Sequence, residues 1–225
     1  MARTGTIKIC GLSTAPTLEA ALEARADMVG FVFFPKSPRH VSYETARELG
    51  AQARRRAGVV ALSVDADDAM LEAIIMALRP DLLQLHGQES SARVATIRRR
   101  FGLPVMKAIG ISGPADLALI PAYAAVCDHL LFDAKPPQDA ALPGGNGRAF
   151  DWAVLQTPGI DLGLPTMVSG GLDAGNVAQA IAISGARGVD VSSGVETAPG
   201  VKDAEMIRAF VASARAAFGT IQETL

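Results

Sequence analysis

Residues 6–11 have the sequence TIKICG, an apolar strand that ends in a thiol and a glycine. In a strand, alternate side chains lie on one face, so Lys8 and Cys10 are predicted to project together while the two isoleucines point the other way. A neighbouring cation favours thiolate over thiol, and we expect Lys8 to lower the pKa of Cys10 below its ordinary value of about 8.5. Taken alone, an unpaired strand cysteine is more often a buried structural residue.

Similar apolar runs recur along the chain and alternate with helical patterns, which is typical of repeated βα units and a parallel sheet. Eight strands are predicted, at about 6–10, 28–33, 58–64, 82–85, 104–109, 129–132, 165–169 and 188–192. Helical patterns fill the intervals, and no linker or low-complexity tract divides the 225 residues. The pattern predicts an α/β protein with one closed (β/α)8 TIM barrel, residues 1–225, as a single domain.

Several helix ends carry recognisable signals. Ser42 is predicted to cap the second helix, and Pro114 to open the fifth. The arginine triplets at 54–56 and 98–100 lie at predicted helix C-termini, where cations complement the helix dipole. We therefore interpret both triplets as helix ends and not as a nucleic-acid-binding patch.

Composition excludes several classes of function. Lysine and arginine number 21 against 23 aspartates and glutamates, a net charge of −2, so no global field favours nucleic acid or an anionic membrane. No apolar run approaches the roughly 18 residues of a membrane span, and no secretion signal is recognised. The only cysteines, Cys10 and Cys127, form no Cys-x-x-Cys pair and suit a reducing compartment. We expect a cytoplasmic protein with a small-molecule partner.

In a TIM barrel the active site lies at the C-terminal ends of the strands, so the polar residues found there are the candidate site. They are Cys10, Arg39 in the loop after strand two, Asp65, His86, Lys107, Asp133, Ser169, Asp190 and Ser192. Polar groups at the ends of buried apolar strands are costly unless they are paired or used. We predict that they meet at one mouth of the barrel. With three histidines in the chain, a metal site is not expected.

Two glycine-containing loops follow the last two strands, VSGGL at 168–172 and VDVSSGVE at 189–196. Their backbone N–H groups could approach an anion, and a short helix predicted after Gly194 would direct its positive end toward it. Neither loop is specific alone, but together they predict a phosphate site. The candidate phosphate-binding residues are Gly170, Gly171, Ser192, Ser193 and Gly194.

Three further side chains have both a functional and a structural interpretation. The planar fork of Arg39 matches a carboxylate, although a solvated surface arginine is commoner. Asp133 could be a general acid if burial raises its pKa, or could merely cap the long glycine- and proline-rich loop that follows. His86 could line the pocket or be a satisfied structural histidine.

Together these residues resemble the phosphoribosylanthranilate isomerase family of tryptophan biosynthesis, over nearly the whole chain. The motifs that carry the resemblance are KICG at 8–11, SPRHV at 37–41, QLHG at 84–87, FD at 132–133, GGNG at 144–147 with FDW at 150–152, SGGL at 169–172 and DVSSGVE at 190–196. There are two departures: Asn146 stands where threonine is usual, and Ala134 where serine or threonine is common. Both affect the loop after strand six and could alter its closure or the affinity.

The resemblance implies an Amadori rearrangement of N-(5-phosphoribosyl)anthranilate to an aminoketose, without cofactor or metal. Asp133 would be the general acid and the Cys10 thiolate the general base. Arg39 would hold the anthranilate carboxylate, and the two glycine-containing loops would hold the phosphate. Asp190 would orient the sugar hydroxyls, or Cys10 together with Lys8. The oligomeric state, monomer or homodimer, and acceptance of a histidine-pathway aminoaldose stay open.

Two alternatives remain at this point. One is another phosphosugar barrel, such as indole-glycerol-phosphate synthase, which needs a catalytic lysine with glutamates, or a ribulose-phosphate epimerase, which needs a metal cluster. The chain offers Lys107 but not the rest. The other alternative is a barrel without catalytic activity that binds phosphate as a sensor. The presence of both Cys10 and Asp133 argues against it.

Overall fold

Eight parallel strands close into a barrel in the order of the sequence. The computed structural model describes residues 5–135, 144, 149–156 and 163–222, with side chains up to residue 220. The strands are β1 (Thr6–Cys10), β2 (Met28–Phe33), β3 (Gly58–Ser63), β4 (Leu82–Leu85), β5 (Val105–Ile111), β6 (His129–Ala134), β7 (Thr166–Val168) and β8 (Gly188–Val191). Strand β1 closes the barrel by pairing with β8, which places Lys8 opposite Asp190. The predicted (β/α)8 fold is confirmed.

Helices connect the strands and pack around the barrel. They are α1 (Ala15–Glu23), α2 (Tyr43–Ala53), α3 (Asp68–Leu78), α4 (Ser91–Phe101), α5 (Ile120–Ala124), α6 (Val177–Ser184) and α7 (Ala204–Gln222). The hydroxyl of Ser42 caps α2 by accepting the N–H of Thr45, as predicted. The fifth helix also begins where Pro114 predicts, but as 3-10 turns over Pro114–Leu119. Pro121 lacks the N–H that would extend α5 backward, which explains the change of helix type.

Two hydrophobic layers follow from the alternation of side chains along the strands. The barrel interior is filled from alternate positions by Val60, Leu82, Met106, Ala108, Leu131 and Met167. The intervening positions pack outward against the helices in a larger cluster. This alternation decides which polar strand residues point toward the barrel mouth and which point into the helix layer.

The segment after β8 differs from the prediction. A single 3-10 turn, Ser193–Val195, contains Gly194, and the antiparallel hairpin of β9 (Glu196–Ala198) and β10 (Val201–Lys202) follows it. The predicted short helix after Gly194 is therefore wrong. The intervening Pro199-Gly200 is a strong turn-forming pair, and it closes a hairpin where a helix was expected.

Two other predicted features lie near the end of β6. Ala134 ends β6, whereas Asn146 and most of the glycine- and proline-rich loop lie outside the described residues. Residues Trp152–Gln156 form a 3-10 helix between β6 and β7. None of the helices in the described ranges combines the length and apolar character needed to cross a membrane.

Candidate active site

A pocket opens at the C-terminal ends of the strands, where most of the predicted site residues meet. Those that line it are Cys10, Arg39, His86, Asp133, Ser169, Gly170, Gly171, Asp190, Ser192 and Ser193. Gly194 lies behind this lining, where an added Cβ would collide with the backbone carbonyl of Leu172. Glycine at this position thus allows the loops after β7 and β8 to approach one another.

Lys8 and Cys10 project to the same inner face of β1, as the strand alternation predicts. The Lys8 ammonium donates a 2.8 Å hydrogen bond to Oδ1 of Asp190 on β8, and Lys8 is completely buried. Both β1 side chains also lie against Gly30, because a Cβ added there would be 3.0 Å from Cys10 Sγ and 3.1 Å from Lys8 Nζ. The thiol, the ammonium and the carboxylate therefore form one buried group.

The predicted direction of the thiol pKa is wrong. Burial raises the pKa of Cys10, and the nearby Lys8 offsets only part of that effect. Although burial disfavours its charge, Lys8 has a raised pKa because it faces both Asp190 and Cys10. The resting group thus holds a charged ammonium beside a neutral thiol. Alternation along the strand predicts that Lys8 lies beside Cys10. How far the thiol is shielded from water depends on closure of the barrel, which the strand pattern does not give.

Buried Asp133 and partly buried His86 form a second polar pair at the pocket. His86 Nε2 lies 3.1 Å from Asp133 Oδ2, and the backbone N–H of Ala134 donates to Asp133 Oδ1 at 2.9 Å. His86 Nδ1 lies 3.2 Å from the amide nitrogen of Gln84. Asp133 is 5% exposed and still lines the pocket, so it can reach a bound molecule. This arrangement favours the pocket interpretation for both His86 and Asp133.

Arg39 is buried and paired, and is not a solvated surface arginine. Its Nε and Nη2 donate to the two carboxylate oxygens of Glu196 at 2.7 and 2.8 Å. Lys202 donates to Glu196 Oε1 at 2.6 Å and to the carbonyl of Ser192 at 2.9 Å. Although burial opposes ionisation, Arg39 and Lys202 lower the pKa of Glu196. The fork of Arg39 therefore already has a carboxylate partner within the protein.

Sequence reasoning missed this role for Glu196 and Lys202. The glutamate stands in the DVSSGVE motif, but its partners lie in a loop near residue 39 and in the β9–β10 hairpin. The available signal was a charged residue immediately after an apolar motif, followed by a Pro-Gly turn and a lysine. That signal predicts a hairpin but does not identify the partner in another loop.

The two glycine-containing loops border the same pocket. Gly170 and Gly171 have φ angles of +86° and +61°, a backbone region that residues other than glycine rarely adopt. Ser192 and Ser193 lie in the adjacent loop after β8, where the 3-10 turn Ser193–Val195 begins. The first N–H groups of such a turn have no acceptor within it. The loops can therefore offer backbone donors to an anion.

Lys107 and Asp65, both predicted at the mouth, do not line the pocket. Met106 points into the barrel interior, so Lys107, the next residue along β5, points outward into the helix layer. There its ammonium donates to Glu89 at 2.8 Å and to the Gly87 carbonyl at 2.7 Å. Asp65 accepts the N–H of Gln88 at 2.6 Å. Both residues stabilise the turn after β4. Their predicted position in the pocket is therefore wrong, and their role is structural.

Replacing Lys107 with methionine is expected to destabilise the protein by about 3–5 kcal/mol, because Glu89 would keep a buried charge without its cation. Urea unfolding measures the loss. A matched control is Arg56→Met, which breaks the exposed pair with Glu19 and should leave stability nearly unchanged, because solvent screens that pair. Equal losses for the two variants would contradict the buried role of Lys107.

Comparison with known proteins places the chain in a family. A family model described as N-(5'phosphoribosyl)anthranilate (PRA) isomerase matches residues 7–213. The N-(5'-phosphoribosyl)anthranilate isomerase of Rhodopseudomonas palustris strain BisB18 is 64% identical over 210 residues, which cover 93% of this chain and 95% of that protein. The chain belongs to the phosphoribosylanthranilate isomerase family. The family predicted from the sequence motifs is confirmed. The prediction that the protein is an isomerase of tryptophan biosynthesis is confirmed as well.

Solved structures of phosphoribosylanthranilate isomerases share this barrel. The enzyme from Thermotoga maritima aligns with a TM-score of 0.84 at 32% identity, over 94% of this chain and 99% of that chain. Another phosphoribosylanthranilate isomerase structure holds reduced 1-(o-carboxyphenylamino)-1-deoxyribulose 5-phosphate, and it aligns with a TM-score of 0.81 at 31% identity, over the same shares of the two chains.

Proposed function

We propose that this chain converts N-(5-phosphoribosyl)anthranilate to 1-(2-carboxyphenylamino)-1-deoxyribulose 5-phosphate, with Asp133 as general acid and Cys10 as general base. The supporting observation is that a buried carboxyl group on β6 and a buried thiol on β1 line one pocket. Two glycine-containing loops suited to a phosphate border the same pocket. The ligand held by the solved relative has the same carboxyphenyl and phosphate ends as this product.

The reaction begins with ring opening. Asp133 gives its proton to the furanose ring oxygen as the bond from that oxygen to C1 breaks, and the anthranilate nitrogen supplies the electron pair that forms an iminium. The iminium acidifies the hydrogen on C2, which the Cys10 thiolate removes. The enolamine then becomes the ketone as C1 gains a proton and the C2 hydroxyl loses one. A positioned acid or base typically contributes about 10²–10⁴ in rate.

A raised thiol pKa is compatible with this role. A neutral thiol suits a buried resting site, because burial disfavours the thiolate. When the iminium cation forms beside Cys10, its charge and that of Lys8 both favour ionisation of the thiol. Because a thiolate of raised pKa is also the stronger base, proton abstraction is favoured once the ring has opened.

The two ends of the substrate would be held by different groups. The loops at Gly170–Gly171 and Ser192–Ser193 would hold the phosphate. Arg39 would attract the anthranilate carboxylate mainly by its charge, since Glu196 engages its Nε and Nη2. Holding both ends keeps the reacting atoms near attack distance.

Arg39→Lys is expected to raise KM by about tenfold, equivalent to roughly 1.4 kcal/mol, with a smaller effect on kcat. A lysine keeps the charge but cannot keep both hydrogen bonds to Glu196, so the charge would no longer be fixed in place. Steady-state kinetics measures the change, with the exposed Arg47→Lys as the matched control. An unchanged KM accompanied by lower stability would show that Arg39 only braces the loops.

The function as a whole is tested by assaying the purified chain for formation of the aminoketose product. Turnover supports the proposal. Binding of the reduced product analogue without turnover would instead support a phosphate-binding barrel that is not an enzyme. The same assay with the histidine-pathway aminoaldose determines whether the pocket accepts a second substrate.

A further inference from the structure

Gln84 occupies an unusual position in the barrel interior. It lies on β4, two residues before His86, and it is completely buried. Its amide nitrogen lies 3.2 Å from His86 Nδ1, but its Oε1 has no hydrogen-bonding partner among the described residues. A buried amide oxygen left unpaired is unfavourable, and the neighbouring interior positions are hydrocarbon. Packing alone does not explain a glutamine at this position.

The protons along the row Gln84, His86 and Asp133 are interdependent. In the observed orientation the Gln84 amide donates to Nδ1, so neutral His86 carries its hydrogen on Nε2 and donates to Asp133 Oδ2. Asp133 also accepts the N–H of Ala134 at its other oxygen. This arrangement suits an ionised Asp133, which has already given up its proton.

An acid that is ready to react requires the opposite arrangement. If the Gln84 amide turns by 180° about its last bond, Oε1 faces His86 and accepts a hydrogen from Nδ1. Nε2 of His86 can then share the proton that Asp133 carries. A glutamine amide can serve both arrangements because it presents a donor on one side and an acceptor on the other. Methionine offers neither, and glutamate when ionised only accepts.

We propose that Gln84 is a positioning residue whose amide sets the tautomer of His86 and thereby lets Asp133 release and regain its proton. The inference rests on the proposed role of Asp133 as general acid. Gln84 does not touch the substrate, since it lies below the pocket lining, and it acts only through His86. The amide oxygen without a partner is then explained as the acceptor that the proton-loaded state uses.

Other charged groups face this row and stay constant in the comparison. Asp190 on β8 interacts electrostatically with both Asp133 and His86, and Lys8 on β1 is paired with Asp190. Cys10 on β1 and Arg39 in the loop after β2 complete the lining on the opposite side. A change confined to Gln84 leaves all of them in place.

The test follows the ring nitrogens of His86 by ¹⁵N NMR against pH in the full-length protein, together with the pH profile of kcat. The chain has only three histidines, so a His86→Asn spectrum assigns the signals, and His40 and His129 serve as internal controls. In the wild type, Nδ1 of His86 should gain its hydrogen over the same pH range in which the kcat profile reports protonation of the general acid. Gln84→Met should move this transition to lower pH, and Gln84→Glu to higher pH.

Gln84→Met should also lower kcat about tenfold while KM changes by less than about twofold. In most molecules His86 would then hold the tautomer that leaves Asp133 without the proton it must donate. Transitions at the same pH in all three proteins, with wild-type kcat, would overturn the inference. If Gln84→Met does not fold, the shift in Gln84→Glu relative to wild type decides the question. Asp133→Asn separates the two proposals: wild-type activity in that variant overturns the role of Asp133, whereas loss of activity with unaffected Gln84 variants overturns only the role of Gln84.

Discussion

Replacing Cys10 with alanine is expected to lower kcat/KM by about 10³-fold or more, because a positioned general base is typically worth 10²–10⁴. Substrate binding should be nearly unchanged, since alanine leaves the carboxylate and phosphate contacts in place. Steady-state kinetics with the purified isomerase measures the effect. Thermal unfolding should show that the variant keeps its fold, because the removed thiol is small.

Cys127→Ala provides the matched control. Cys127 is also a buried free thiol, but it packs in the cluster outside the barrel and burial raises its pKa to about 11. Its loss should leave kcat/KM within about twofold of wild type, because Cys127 does not line the pocket. If the two cysteine variants lose activity equally, the Cys10 thiol has no special role.

The direction of the Cys10 pKa also predicts the form of the pH profile. The base must be deprotonated, and its pKa is raised by burial, so kcat/KM should still be rising with pH near the ordinary thiol value of about 8.5. A profile that is flat between about pH 5 and 9 would contradict an acid and a base acting together.

The barrel was predictable from sequence because its pattern is local. Each strand is a short apolar run, and signals such as Ser42 and Pro114 mark helix starts that depend on a few neighbouring residues. The meeting of Cys10 with Asp133 was also predictable, since closure of eight parallel strands brings all their C-terminal ends to one mouth.

Properties that depend on three-dimensional surroundings were not predictable in the same way. The sequence pattern places Lys107 at the end of a strand, but β5 continues to Ile111, and alternation turns Lys107 outward to Glu89. The pairing of Arg39 with Glu196 joins the loop after β2 to the β9–β10 hairpin, and no spacing in the sequence indicates it. The sign of the Cys10 pKa shift depends on how completely the closed barrel excludes water.

Asp133→Asn is expected to lower kcat by about 10²–10⁴ with little change in KM, because the amide cannot supply the proton that ring opening requires. Asparagine has almost the same shape as aspartate and can still accept the N–H of Ala134, so the fold should persist. A matched control is Asp128→Asn, at the opposite end of the same strand, where the carboxylate binds Arg98 and the Val105 N–H. That variant should lose stability and keep its activity.

An isotope effect can assign the two groups to their separate steps. With substrate deuterated at C2, the wild type should show a primary effect to the extent that proton abstraction by Cys10 limits the rate. In Asp133→Asn, ring opening becomes the slow step, so the effect should fall toward one. In a variant that keeps Asp133 but whose base is hardly ever ionised, Cys10→Ser, proton abstraction becomes slower and the effect should rise instead. If the isotope effect is the same in both variants, Asp133 and Cys10 do not act on successive steps, and the assignment of acid and base would have to be abandoned.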